Sequence, residues 1–166
     1  IEPEPQRVID AMVALGDSAA QLHAFAAPRS SGLWDEIRAE LSSAVVGSGG
    51  TAQEQTGPWG AELRTRMPTA GPDGRTVFAP ARFIGIDGPR WFLRVVVTGS
   101  AALNEAVAEP LLDVVRTTVV VRGQTPMAPR EVLPLTLPEG AAPQPVPDES
   151  PDLDPFTRGP EITEVH

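Results

Sequence analysis

A chain of 166 residues with 41% hydrophobic content is the size of one domain and long enough to bury a core. Its formal charge of −9 argues against a general nucleic-acid binder, which needs a basic footprint to displace counterions from phosphates. Cysteine and lysine are both absent, so thiolate nucleophiles, Schiff bases, cysteine zinc sites and a Walker phosphate loop are excluded.

No run approaches the roughly 18 apolar residues of a membrane span, and no basic-then-apolar leader opens the chain, which predicts a soluble, cytoplasmic protein. The first residue is Ile1 and not Met, which reads as a start inside a longer polypeptide. Residues 7–26 form a predicted strand hairpin: Asp17 and Ser18 follow Gly16 as a turn, and Gln21 to Phe25 alternates polar and apolar. Pro28 to Gly32 is a loop, with Ser30 and Ser31 as candidate N-caps. Leu33, Trp34, Ile37, Leu41, Ala44 and Val45 then recur at helical spacing, and the helix is expected to end at Gly47, in the run GSGG.

Strands are expected at 51–56 and 60–67, broken by Gly57-Pro58, with Pro68 to Gly74 as a loop. Ala81 to Ile86 and Arg90 to Thr98 flank the turn Asp87-Gly88-Pro89 and predict a hairpin. A second helix is expected over about 101–116, with Leu103, Val107, Leu111 and Val115 on its apolar face. Pro110 in it implies a kink or a fresh start. Thr117 to Val121 reads as a last β-branched strand. From Gln124 proline recurs every few residues, so the chain is expected to leave the fold as an extended segment and then a disordered, acidic tail. The sum is an α+β domain over residues 1–138, a largely antiparallel sheet with two packed helices, followed by a proline-rich tail at 139–166.

The segments LGDSAAQLHAFAAPRSSGLWDEIRAEL, GPWGAELR, ARFIGIDGPRWFLRVVVTG and VVVRGQTPMAPREVLPLTLP together resemble the actinobacterial domain of unknown function 3710 family, over nearly all of residues 7–138. The resemblance implies no activity and offers no catalytic residues or cofactor. The element order is also similar to PsbP-like α/β/α sandwiches, an analogy of fold that says little about function.

Few residues invite catalysis. Asp17, Ser18 and His23 have the types of a triad, but Ser18 and His23 lie five apart on one expected strand and so face opposite ways. His166 ends the tail, which argues against a two-histidine metal site. The pairs Asp35 with Glu36 and Glu105 with Glu109 belong to solvated helix faces. The motifs Gly57-Pro58-Trp59 and Gly88-Pro89-Arg90-Trp91 read as turns followed by sheet-sealing tryptophans, with ligand stacking as the alternative.

An arginine face remains. Residues 61–97 carry six arginines against Glu62, Asp73 and Asp87. Alternation puts Trp91, Leu93, Val95 and Val97 on one side of their strand and Arg90, Phe92, Arg94 and Val96 on the other. It also sets Arg64 and Arg66 opposite Leu63 and Met67. Arg64, Arg66, Arg90, Arg94 and Phe92 are therefore the candidate binding residues, for an acidic or anionic ligand, with cross-strand salt bridges as the structural alternative. The tail holds seven carboxylates against Arg158 and is expected either to lie loosely over these arginines or to float.

The function expected from all this is a non-enzymatic binding or protein-interaction module. The alternative is a small-molecule or lipid-binding pocket between sheet and helices, suggested by Trp34, Phe83, Trp91 and Leu111.

Overall fold

The computed structural model describes residues 10–28 and 31–135. Six strands make one sheet: β1 (Ala11–Leu15), β2 (Ser18–Ala26), β3 (Thr51–Gly57), β4 (Gly60–Ala70), β5 (Thr76–Gly88) and β6 (Trp91–Thr98). Their order is β1-β2-β6-β5-β4-β3, and every neighbouring pair is antiparallel. Helix α1 (Leu33–Gly47) joins β2 to β3, and α2 (Glu105–Thr117) follows β6. The fold is α+β, as the alternation and turn chemistry predict.

Strands β3 to β6 form a meander because each connection is a turn. Pro58-Trp59 links the paired residues Gly57 and Gly60, and Pro89-Arg90 links Gly88 and Trp91. Both tight turns need a positive φ, supplied by Gly60 at 103° and by Arg90 at 58°. Strand β2 then returns to pair with β6, Ala19 opposite Thr98 and Ala26 opposite Trp91.

The central strands are covered on both faces. On one, Ala20, Leu22, Ala24, Ile84, Leu93, Val95 and Val97 pack with Leu111, Leu112 and Val115 of α2. On the other, Phe92 packs with Leu33 and Trp34 of α1, joined by Phe25, Ile37, Leu41 and Phe83. Double coverage explains the composition of β6, whose run WFLRVVV is apolar except for Arg94. Trp34, Leu93 and Leu111 are buried, whereas Phe83 and Trp91 are half-buried.

Several local expectations differ from the structure. The N-cap of α1 is Gly32 in the left-handed region, with no side-chain cap bond from Ser31; Ser30 lies outside the described residues. Strand β4 runs through Pro68 to Ala70, and β5 begins at Thr76, so the first three residues of the expected 68–74 loop join a two-stranded ribbon and the connection is confined to residues 71–75. Proline is accepted there because β3 pairs with β4 only as far as Arg66 and β6 with β5 only from Ala81, leaving the outer edges without ladder partners.

Residues 99–102 form a 3-10 turn, and α2 starts later than expected, where the Asn104 side chain accepts from the backbone amides of Ala106 and Val107. Leu103 is therefore outside the helix and 59% exposed, while Ala108 and Leu112 join the buried face. Pro110 stands inside one continuous helix.

The expected strand at 117–121 does not form: its first residue ends α2, and Val119 and Val121 are 82% and 86% exposed. A β-branched run becomes a strand only where it meets a hydrogen-bonding edge. That edge goes to residues 130–133. The amide of Ala26 donates to Glu131 O, that of Arg130 to Ala26 O and that of Leu133 to Ala24 O, each at 2.8 Å. This strap takes up the edge of β2 beyond Leu22, where β1 stops. Residues 7–9 of the expected hairpin, the tail at 139–166 and His166 lie outside the described residues.

Candidate functional site

The five candidate residues do not share a face. Cross-strand pairing puts Arg64 opposite Arg82, and Arg82 opposite Val97, on the side that carries α2. Phe92 and Arg94 are on the side that carries α1, and Arg90 occupies the β5–β6 turn. The expected single arginine face is thus corrected: alternation within each strand was right, but register between β4 and β6 runs through β5 and places the two arginine sets on opposite sides of the sheet.

On the α2 side the arginines are largely spent on structure. Arg82 is fully buried, with Nε 2.9 Å from Glu62 Oε1 and Nη1 3.0 Å from Glu105 Oε1. Arg64 Nη2 reaches the same two carboxylates at 2.7 and 2.8 Å, and its Nη1 donates to the Ala102 carbonyl. Two guanidinium groups therefore share two carboxylates, and the Arg64 hydrogen bond holds the Glu105 carboxyl below its ordinary range. Arg64 and exposed Arg66 also line a groove of about 260 Å³ with Thr51, Gln53 and Gln55. Its polar walls offer little hydrophobic driving force. Arg90 donates from Nη2 to the Gly123 carbonyl.

The α1 side is different. A cleft of about 310 Å³ lies between the sheet and the helix, with Phe25, Phe92 and Arg94 from the strands and Ile37, Leu41 and Ala44 from α1. Glu40 and Arg130 complete it. The aromatic rings are stacked in series, His23 on Phe25 at 6.2 Å, Phe25 on Phe92 at 6.1 Å and Phe92 on Trp34 at 5.9 Å between centroids. Trp34 sits directly on the sheet because residue 85 is glycine: a Cβ there would overlap the indole ring. The indole Nε1 then donates to the Ala61 carbonyl at 2.6 Å.

Arg94 holds its guanidinium carbon 5.3 Å from the centre of the Phe25 ring. Its Nε is buried without a hydrogen-bond partner, and burial pushes its pKa down. Arg130, by contrast, is neutralised in place. Its two terminal nitrogens donate to the two oxygens of Glu40 at 3.0 Å each, and Glu36 lies 3.6 Å away. The strap positions Arg130 through a left-handed backbone, φ 64°.

Ser18 and His23 occupy opposite faces of β2, as alternation requires. Ser18 Oγ donates to Asp17 Oδ1 at 2.9 Å and accepts from the Ala101 amide at 3.0 Å, so it ties the β1–β2 turn to the 3-10 turn. His23 pairs across the ladder with Arg94 and has Nε2 3.7 Å from Asp10. Burial, and then the charge of Arg94, push its pKa below the ordinary 6.5. Among the described residues no group of three or more His, Asp or Glu could hold a metal ion, and no helix is long and apolar enough to cross a membrane.

Of the residues that line this cleft, sequence reasoning named Phe92 and Arg94 as candidates and did not name Phe25, Glu40 and Arg130. One signal was available: Arg94 is the lone charge in a strand whose apolar run implies cover on both faces. Nothing in the sequence brings residue 130 to residue 40.

No curated protein and no solved structure matches the chain. The family model described as a protein of unknown function, DUF3710, matches residues 1–144, and the chain belongs to that family.

Proposed function

We propose that this protein is a non-enzymatic binding module whose cleft between α1 and the sheet takes a small amphipathic molecule. The observation that carries the reading is a cleft walled by Phe25, Ile37, Leu41 and Phe92 that the side chains of the described residues leave unfilled. Apolar surface in such a cleft gains from a ligand that removes it from water, at about 25 cal/mol per Å². Residues 1–138 are taken as the binding domain and 139–166 as an acidic appendage, on composition.

The test is titration with a neutral, environment-sensitive apolar dye. Ala44 is an exposed helix residue at the cleft, so Ala44→Trp fills the space without disturbing the core. Saturable binding by the wild type, lost in A44W at unchanged melting temperature, supports the cleft. Equal binding by both proteins, or none by the wild type, refutes it.

A protein partner is the second reading, favoured by the β4–β5 ribbon, where Val77 and Phe78 are 43% and 51% exposed. Replacing both with Ser distinguishes it, since the cleft reading requires dye binding to be unaffected.

A further inference from the structure

Resting on the cleft reading, we infer that the ligand is a single-headed alkyl carboxylate, whose chain lies against Phe25, Ile37 and Leu41 and whose head pairs with Arg94. The argument starts from how the other charges are settled. Arg38, Arg64, Arg82, Arg116 and Arg130 each lie within ion-pair distance of a carboxylate. Arg66 is exposed and keeps its charge in water. Arg94 has neither arrangement: it is half-buried, its Nε has no partner, and no carboxylate among the described residues pairs with it. A charge held away from water without a counter-ion is costly, and a ligand carboxylate removes that cost.

The sign and number of charges follow from the cleft's own groups. Glu40 and Glu36 both pair with Arg130, which leaves Arg94 as the cation lining the cleft that has no carboxylate partner among the described residues. Glu40 lines the same cleft and repels a second negative charge, which disfavours a phosphate monoester. His23, the cross-strand neighbour of Arg94, has its pKa lowered and supplies no counter-charge. A planar guanidinium matches a carboxylate through paired hydrogen bonds. The volume of about 310 Å³ lies at the small end of ligand sites, which fits one unbranched chain and not a polycyclic or dinucleotide ligand.

The full chain is titrated calorimetrically with decanoate, decanol, decylamine and decyl phosphate, each below its aggregation concentration. Decanoate should bind about tenfold or more tighter than decanol, with decyl phosphate and decylamine weaker than decanoate. Arg94→Met should abolish the preference for decanoate over decanol, with a cooperative urea transition showing that the variant is folded. Equal binding of decanoate and decanol by the wild type overturns the inference but leaves the cleft reading standing. Tighter binding of decyl phosphate, or a preference for decanoate that survives in R94M, overturns it as well. If none of the four binds, it is the cleft reading that fails.

Discussion

Arg94 lies over the Phe25 ring and lines the cleft beneath α1, in a strand that is covered on both faces. Cation–π contact with Phe25 offsets part of the lost hydration but leaves Nε unpaired. Arg94→Met should therefore raise the stability of the unliganded protein by about 1 kcal/mol, read from the midpoint of urea unfolding. A drop would mean that Arg94 is held for structure. Gly85 is constrained from the other direction, because any Cβ meets the Trp34 ring. Gly85→Ala should cost about 2–3 kcal/mol as the tryptophan is displaced, with a shift in its fluorescence.

His23 gives a pH signature. Its folded pKa is depressed, mainly by burial, so the unfolded chain takes up the proton first as pH falls. Its contribution is fully present above the ordinary value of 6.5 and is lost as pH falls through the folded value. A decline in unfolding free energy that begins near that pH and is absent in His23→Gln is the expected result. The depressed Glu105 carboxyl acts in the same direction, in a separate window below its ordinary 4.5.

At the scale of elements, α2 shows how packing overrides local preference. Pro110 removes a helical hydrogen bond from an exposed position, yet the helix continues because Leu111, Leu112 and Val115 are seated in the core. Pro110→Ala should stabilise the protein by about 2 kcal/mol, measured by thermal unfolding. The elements legible in the sequence were those whose signal is local: the 3.6 period of α1, the period-2 alternation of β2, and the Gly-Pro turns of the meander. Those misread depended on neighbours. Pro68 is acceptable in β4 only because the pairing with β3 goes no further than Arg66, and the run after Thr117 stays out of the sheet while residues 130–133 pair with the edge of β2.

For the whole molecule, the meander β3–β6 is built from sequential hairpins, whereas β2 must close across the entire intervening chain to reach β6. Loop-closure entropy makes that pairing the late step. Leu22→Ala in β2 should mainly accelerate unfolding, while Ile84→Val in β5 should slow folding, as stopped-flow kinetics would show. The reverse pattern would place the β2–β6 pairing in the nucleus. The same long closure divides what the chain states from what it withholds. Sequence alone determined the α+β class, the antiparallel sheet, the first helix and the family, because these rest on periodicity, turn residues and motifs that lie close together along the chain. Only the tertiary structure decided that Arg64 and Arg94 stand on opposite sides of the sheet, that Glu40 meets Arg130, and that Arg94 has no carboxylate partner among the described residues. Those facts are set by register and packing between distant segments, and no local pattern encodes them.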